Sequence, residues 1–96
     1  MDKKELRHNF IQYLKKNYNY ARPDIMASNV FYAWNHFIGM DFWDIFVSDK
    51  SMLTAKELLI EHFSLTGRKD PKGHASVHYG CWKLFKEYCD LSGIEH

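Results

Sequence analysis

Apolar residues recur at three- and four-residue intervals in four separate segments of this 96-residue chain. That spacing describes one face of an α-helix, whereas strict alternation, typical of a half-buried strand, never extends beyond a few residues. The periodicity predicts helices over residues 3–18, 23–38, 51–66 and 75–91. A short aromatic-rich turn, "DFWDIF", is predicted over residues 41–46. We therefore expect an all-α fold, a bundle of four helices with one additional short turn.

Residues at the segment ends favour these boundaries. Pro23 suits a first helical turn, where its missing N–H costs nothing, and Asp24 complements the positive end of the helix dipole. Ser51 is a typical N-cap of the third helix, and Gly67 a typical residue at its end. The predicted core stripes are Leu6, Phe10, Tyr13, Leu14 and Asn17; Met26, Val30, Ala33, Trp34 and Phe37; Leu53, Leu58, Leu59 and Phe63; Val77, Cys81, Leu84, Phe85 and Tyr88.

Length and composition indicate one domain spanning residues 1–96. An apolar fraction of 46% and an aromatic fraction of 17% suffice for one packed core. No run of about 18 apolar residues exists, so nothing should span a membrane, and the charged start "MDKKELRHNF" lacks a secretion signal. On one helix Cys81 and Cys89 would be separated by about 12 Å of rise, too far for a disulfide. We therefore expect reduced thiols in a cytoplasmic protein.

Charge is unevenly distributed along the chain, although the formal net charge is only +1. Residues 1–22 carry six Lys/Arg against two Asp/Glu, and residues 67–86 carry five against one. Residues 23–66, between them, carry two against six, and the tail beyond residue 86 is acidic. If folding brings the two basic segments together, the surface has a positive side despite the near-neutral total.

Two junctions between helices combine cations with polar and aromatic residues. A helix N-terminus carries partial positive charge and free N–H groups, which favour phosphate. Cations interleaved with Tyr and Asn suit contacts to a nucleic-acid backbone better than readout of bases. A lysine-rich loop can equally be a merely solvated loop. The candidate nucleic-acid-binding residues are Lys15, Lys16 and Arg22 at the first junction, and Arg68, Lys69, Lys72, His74, Ser76 and His78 at the second.

Metal binding and catalysis are weaker interpretations. His74, His78 and Cys81 follow an H-x3-H-x2-C pattern on one side of a helix, but a zinc site needs a fourth ligand, for which His62 and Cys89 are the candidates. A His78–Cys81 thiol–imidazole pair has the right spacing but no clear third group to orient it. The carboxylates read as helix caps and solvent faces, and "GRKDPKG" does not have the spacing of a phosphate-binding P-loop. We expect no catalysis, no metal and no cofactor.

The order of these segments resembles a known family. "LRHNFIQYLKK" is followed by "YARPDIMASNVFYAWNHFIGMDFWDIF" and then by "SMLTAKELLIEHFSLTGRKDPKGHASVHYGCWKLFKEYC". This order of helices and apolar residues resembles the N-terminal core-binding domain of tyrosine recombinases and phage integrases. The resemblance covers roughly residues 4–91, and in the last helix Ser76, Tyr79, Leu84, Phe85 and Tyr88 occupy the matching places.

The resemblance implies a SAM-like orthogonal bundle that clamps one side of duplex DNA through loops and helix starts. The residues it implicates are Arg22, Arg68, Lys69, Lys72, Ser76 and His78. The recombinase catalytic domain has no counterpart in this sequence, so the resemblance implies a DNA-binding module, either alone or within a larger parent chain. A protein–protein interaction module is the alternative, which exposed aromatics in residues 42–46 would favour; their burial would indicate a structural role.

Overall fold

The computed structural model describes residues 2–32 and 34–94, which are helical apart from short connections and contain no β-strand. The all-α prediction is confirmed. The helices are α1 (Lys3–Asn17), α2 (Pro23–Phe31), α3 (Trp34–Phe37), α4 (Phe42–Ile45), α5 (Asp49–Leu65) and α6 (Pro71–Ser92). The long helix α6 packs against α5 on one side and α2 on another, and α1 packs against α2 and α6.

The predicted second helix is interrupted, because α2 ends at Phe31 and the chain becomes extended at Tyr32 (φ −66°, ψ 148°). The backbone carbonyl of Asn29, in the last turn of α2, faces two side chains of α6. Trp82 Nε1 donates to it at 3.3 Å, and His78 Nδ1 also lies 3.3 Å from it. These side chains satisfy a carbonyl at a helix end, where intrahelical partners run out.

The residues after this break only partly follow the predicted stripe. Trp34 begins the single turn α3 and packs edge-on against Phe63, with ring centroids 4.9 Å apart. Phe37, placed on the core stripe by periodicity, is 55% exposed, so that assignment was wrong. The periodic pattern assumed one continuous helix, and the break changes the direction in which later residues point. Ala33 of the same stripe lies outside the described residues.

The N-cap of helix α5 lies three residues before the predicted N-cap, Ser51. Ser48 is the cap, its hydroxyl accepts from the Ser51 N–H at 3.1 Å, and Ser51 Oγ accepts from the Ser48 N–H at 2.9 Å. This reciprocal pair is a capping box in which serine takes the place of the usual Glu or Gln. Leu53, expected in the core, is 47% exposed.

Helix α6 begins at Pro71, four residues before the predicted start. Asp70 is its N-cap and adopts a left-handed backbone (φ 51°), while its carboxylate accepts from the Gly73 N–H at 3.2 Å. A Cβ at position 73 would stand 2.0 Å from that carboxylate, so the cap requires glycine there. Proline at the first helical position and aspartate at the cap explain the early start.

Phe85 of α6 lies at the centre of the hydrophobic core and is fully buried. Its ring contacts aromatic rings from α1, α2 and the α4 region; the centroid distances are 5.3 Å to Phe10, 5.2 Å to Phe31 and 4.8 Å to Phe46. Phe42 and Phe46 of the "DFWDIF" turn are buried. Trp43 between them is half-buried, so the burial of this segment favours a structural role over a partner site.

Both cysteines are free and buried, and burial raises the pKa of the Cys89 thiol to about 11. Neither thiol is in a setting that would lower its pKa, which is what activates a cysteine. None of the described helices combines the length and the apolar character needed to cross a bilayer.

Candidate nucleic-acid interface

A groove of about 760 Å³ between α2 and the outer face of α6 brings parts of both predicted basic stretches to one side of the molecule. Arg22, from the first stretch, and Ser76, from the second, both line it. Lys83 of α6, which was not in the predicted set, lines it too. The complete lining is Tyr20, Ala21, Arg22, Ile25, Met26, Asn29, Ser76, Val77, Gly80, Cys81, Lys83, Leu84 and Glu87.

The charge of Arg22 is partly balanced by Asp24. Arg22 Nε lies 3.4 Å from Asp24 Oδ1, and Arg22 Nη2 lies 3.4 Å from Asp24 Oδ2. The hydrogen bonds from Arg22 hold the pKa of Asp24 below its usual value. Both side chains are more than half exposed, so water screens the pair and the guanidinium can exchange this partner for another anion at little cost.

Glu87, the carboxylate in the groove lining, is held by two tyrosines. Tyr13 donates its hydroxyl to Glu87 Oε2 at 2.9 Å, and Tyr18 donates to the same oxygen at 2.5 Å. The hydrogen bond to Glu87 raises the pKa of Tyr18 far above its ordinary value. This cluster ties the end of α1 and the following loop to α6, and so places Tyr20 and Arg22 beside the groove. Glu87 therefore places a carboxylate on the same face as the cations.

The outer face of α6 carries cations at helical spacing. Lys72, Ser76, Tyr79 and Lys83 follow one another at intervals of four, three and four residues, which keeps them on one side of the helix. Lys83 Nζ lies 5.4 Å from the Tyr79 ring centroid, and Lys56 Nζ of α5 lies 4.9 Å from the same centroid. We refer to Lys56, Lys72 and Lys83 as the lysine stripe.

The lysine stripe is free of ion pairs within the part of the chain that the structure describes, where the salt bridges are Arg22–Asp24 and Lys86–Asp90. The predictions missed Lys56 and Lys83. The eleven-residue interval from Lys72 to Lys83 was a usable signal, since it corresponds to three helical turns. Lys56 lies on another helix, and nothing local in the sequence connects it to Tyr79.

The N-terminus of α6 offers phosphate fewer free N–H groups than the sequence suggested, because the Gly73 and His74 N–H groups both donate to Asp70. The Asp70 carboxylate takes the Gly73 N–H and places a negative charge at that end. Lys69 and Lys72 are exposed on either side of this cap. Lys15 and Lys16, in the last turn of α1, are also exposed but do not line the groove.

Arg68, His74 and His78 lie in an aromatic cluster and do not line the groove. The Arg68 guanidinium carbon is 4.4 Å from the Phe63 ring centroid and 5.5 Å from that of Trp34. The His74 and His78 rings approach Phe63 at 6.3 Å and 6.0 Å between centroids. The second predicted stretch is therefore divided between this cluster and the outer face of α6.

His78 has surroundings that oppose its protonation. Burial against Trp34 and Phe63 lowers its pKa, the charges of Arg68 and His74 lower it further, and the hydrogen bond with the Asn29 carbonyl acts in the opposite direction. Since the folded-state pKa is below the ordinary value of about 6.5, the unfolded chain binds more protons between these two values. The neutral ring therefore stabilises the fold above about pH 6.5, and this contribution is lost as the pH falls towards the folded-state pKa.

We expect the urea midpoint of the protein to fall between pH 7 and pH 5.5, and to fall less in His78→Gln. Glutamine can still donate to the Asn29 carbonyl but cannot titrate. The measurement is a series of urea unfolding curves followed by circular dichroism at closely spaced pH values. Parallel pH dependence in the two proteins would show that His78 is not the group responsible.

Within the described residues, no group of three or more His, Cys, Asp or Glu side chains is placed to hold a metal ion. The three side chains of the H-x3-H-x2-C pattern have separate partners. His74 packs on Phe63, His78 faces the Asn29 carbonyl, and the Cys81 Sγ lies 3.7 Å from Asn29 Nδ2.

Comparison of the chain with protein-family models, with curated proteins and with solved structures finds no match.

Proposed function

We propose that this protein is a small helical module that binds duplex DNA, mainly through its phosphates, and that it has a SAM-like arrangement of the core-binding type. The observation that carries the proposal is that Arg22, at the start of α2, lines the same groove as Ser76 and Lys83 of α6, which lie far along the sequence from it. The start of α2 and the beginning of the last helix are also the elements that the family resemblance implicates. Its two free thiols suit the reducing cytoplasm, which is where we place it.

The lysine stripe extends this face beyond the groove. Lys72 and Lys83 are about 16 Å apart along α6, so they can reach phosphates that are several nucleotides apart. Lysines act as point charges on flexible stems, which suits backbone contacts without base readout. Tyr79 orders two of the three ammonium groups by offering its ring face.

Carboxylates on the same face limit the strength of this binding. Asp24 competes with phosphate for Arg22, and Glu87 adds a second carboxylate. Only a few phosphates can therefore be neutralised. We expect affinities in the range of non-specific binding, about 10⁻⁴ to 10⁻⁶ M at physiological salt.

The test is fluorescence anisotropy with labelled 20-base-pair duplexes of several unrelated sequences, at salt concentrations from about 25 to 200 mM. Each neutralised phosphate contributes about −0.9 to the slope of log K against log salt, so three or four contacts predict a slope of about −3. Similar affinities for all sequences are expected. No binding at the lowest salt concentration, or a slope close to zero, would exclude the proposed function.

A further inference from the structure

Phosphate contacts do not account for the apolar floor of the groove between α2 and α6. Its lining is mostly apolar, and within it Tyr20, Ile25 and Val77 remain 42%, 47% and 58% exposed. Exposed apolar side chains gathered in one concave surface mark a site for a partner, because water contact with them is unfavourable. The DNA backbone is polar and charged, so it would leave this floor uncovered.

The shape of the groove matches a helix. On the α2 wall the lining residues are Arg22, Ile25, Met26 and Asn29, and on the α6 wall they include Val77, Gly80, Cys81 and Leu84. Both sets follow i, i+3, i+4, i+7 spacing, which is the ridge pattern that a third helix packs against. A Cβ at position 80 would meet no atom within 4 Å, so the α6 wall has an opening where another backbone can approach closely.

The charges at the rim decide the character of that helix. Arg22, which is paired with the exposed Asp24, stands on the α2 side, and Lys83, which has no salt bridge among the described residues, stands on the α6 side, so one cation borders each edge of the apolar floor. The carboxylate of Glu87 already accepts hydrogen bonds from Tyr13 and Tyr18. An occupant with an apolar stripe flanked by Asp or Glu therefore complements the groove, and one flanked by Lys or Arg does not.

We propose that the α2–α6 groove binds an acidic amphipathic α-helix of a partner protein, and that this helix and DNA exclude each other because both use Arg22 and Lys83. Docking of the helix is independent of DNA binding, and only the mutual exclusion rests on the proposed function. Such a helix would present carboxylates where DNA presents phosphates, and so would regulate access to the DNA-binding face.

The experiment uses two synthetic 16-residue peptides with the same leucine stripe, one flanked by glutamates and the other by lysines at the same positions. Binding is followed by methyl NMR shifts of the 96-residue protein. We expect the glutamate peptide to bind about tenfold more tightly, with shifts concentrated at Ile25, Val77 and Leu84. Equal binding of both peptides, or shifts concentrated away from the groove, would overturn the proposal.

Two groove variants and one control variant make the assignment specific. Gly80→Leu fills the groove without straining the helix, and we expect it to weaken the glutamate peptide about tenfold; Leu53→Ser, which removes an exposed apolar residue from α5, should have no effect. Lys83→Glu should narrow or reverse the preference between the peptides. If the same methyl groups shift with protein concentration alone, the groove binds a second copy of the chain and the proposal is wrong.

Competition between the glutamate peptide and DNA for the protein is measured with the labelled duplex. If the glutamate peptide binds the groove and displaces DNA, both parts of the inference stand. If the peptide binds but the duplex never does, the proposed function fails and helix docking survives. If the duplex binds and the peptide does not, helix docking fails and DNA binding survives.

Discussion

Replacing Phe85 by alanine is expected to remove about 3–5 kcal/mol from the free energy of unfolding. Phe85 is fully buried, and its ring contacts aromatic rings from α1, α2 and the α4 region as well as Tyr88 of its own helix. Truncation to alanine loses the transfer free energy of the ring and leaves a cavity that rigid aromatic neighbours cannot easily close. Because domains of this size are stable by only about 5–15 kcal/mol, the variant should be close to unfolding.

Urea unfolding followed by circular dichroism measures this effect, and Phe37→Ala is the matched control. Phe37 is 55% exposed and lies at the edge of the aromatic cluster, so its loss should cost about 1 kcal/mol or less. Equal losses in the two variants would mean that the core is not centred on Phe85. A folded but much less cooperative Phe85→Ala protein would still agree with the expectation, provided that its urea midpoint falls.

Periodicity predicted the fold class because an apolar stripe has to be buried somewhere, whatever the tertiary arrangement. It placed Phe10, Leu14, Leu59 and Phe85 correctly in the core. It failed for Val77, because spacing shows which residues share a helix face but not how much of that face a neighbouring element covers. In α6 the neighbour is α2, and the groove between them leaves Val77 exposed.

Some helix boundaries are determined by nearby residues in the sequence, and others by contacts with residues far along the chain. The start of α6 was predicted four residues too late, but local sequence contains the signal for it, since Asp70 and Pro71 form a cap and first-turn pair. The end of α2 could not be predicted from local sequence, because the Asn29 carbonyl is satisfied by His78 and Trp82, 49 and 53 residues further along the chain. No window of local sequence contains that interaction.

The residues of the candidate site also fall into those that local sequence could predict and those that depend on long-range contacts. The local chemistry of the two junctions predicted Arg22, Lys72 and Ser76 as candidates, and Arg22 and Ser76 line the groove. It could not show that Arg68 would stack on Phe63 and Trp34, nor that Lys56 and Lys83 would share the ring of Tyr79. Each of these contacts joins different elements of the fold or depends on how α5 and α6 pack. The charge pattern therefore predicted that cations would meet on one side, and packing determined which cations line the groove.

The double substitution Lys72→Glu with Lys83→Glu is expected to weaken duplex binding about 10²-fold at 50 mM salt. Releasing one counterion at that concentration favours binding by roughly tenfold, so the loss of two phosphate contacts removes about two factors of ten, and the new carboxylates add repulsion. The slope of log K against log salt should become shallower by about 2. Since both lysines are exposed on α6, the fold should be unaffected.

The matched control is Lys4→Glu with Lys50→Glu, which changes the net charge by the same amount at exposed positions outside the lysine stripe. We expect this control to weaken binding only slightly, through the long-range field that salt screens beyond about 10 Å at 0.1 M. The readout is anisotropy with the same labelled duplexes across the salt series, so the two double variants are compared at identical charge. If both weaken binding equally, net charge governs the interaction and the face formed by Arg22, Ser76 and the lysine stripe is not a binding site. If the loss depends on DNA sequence, base contacts must contribute, and the assignment of these lysines to phosphates is wrong.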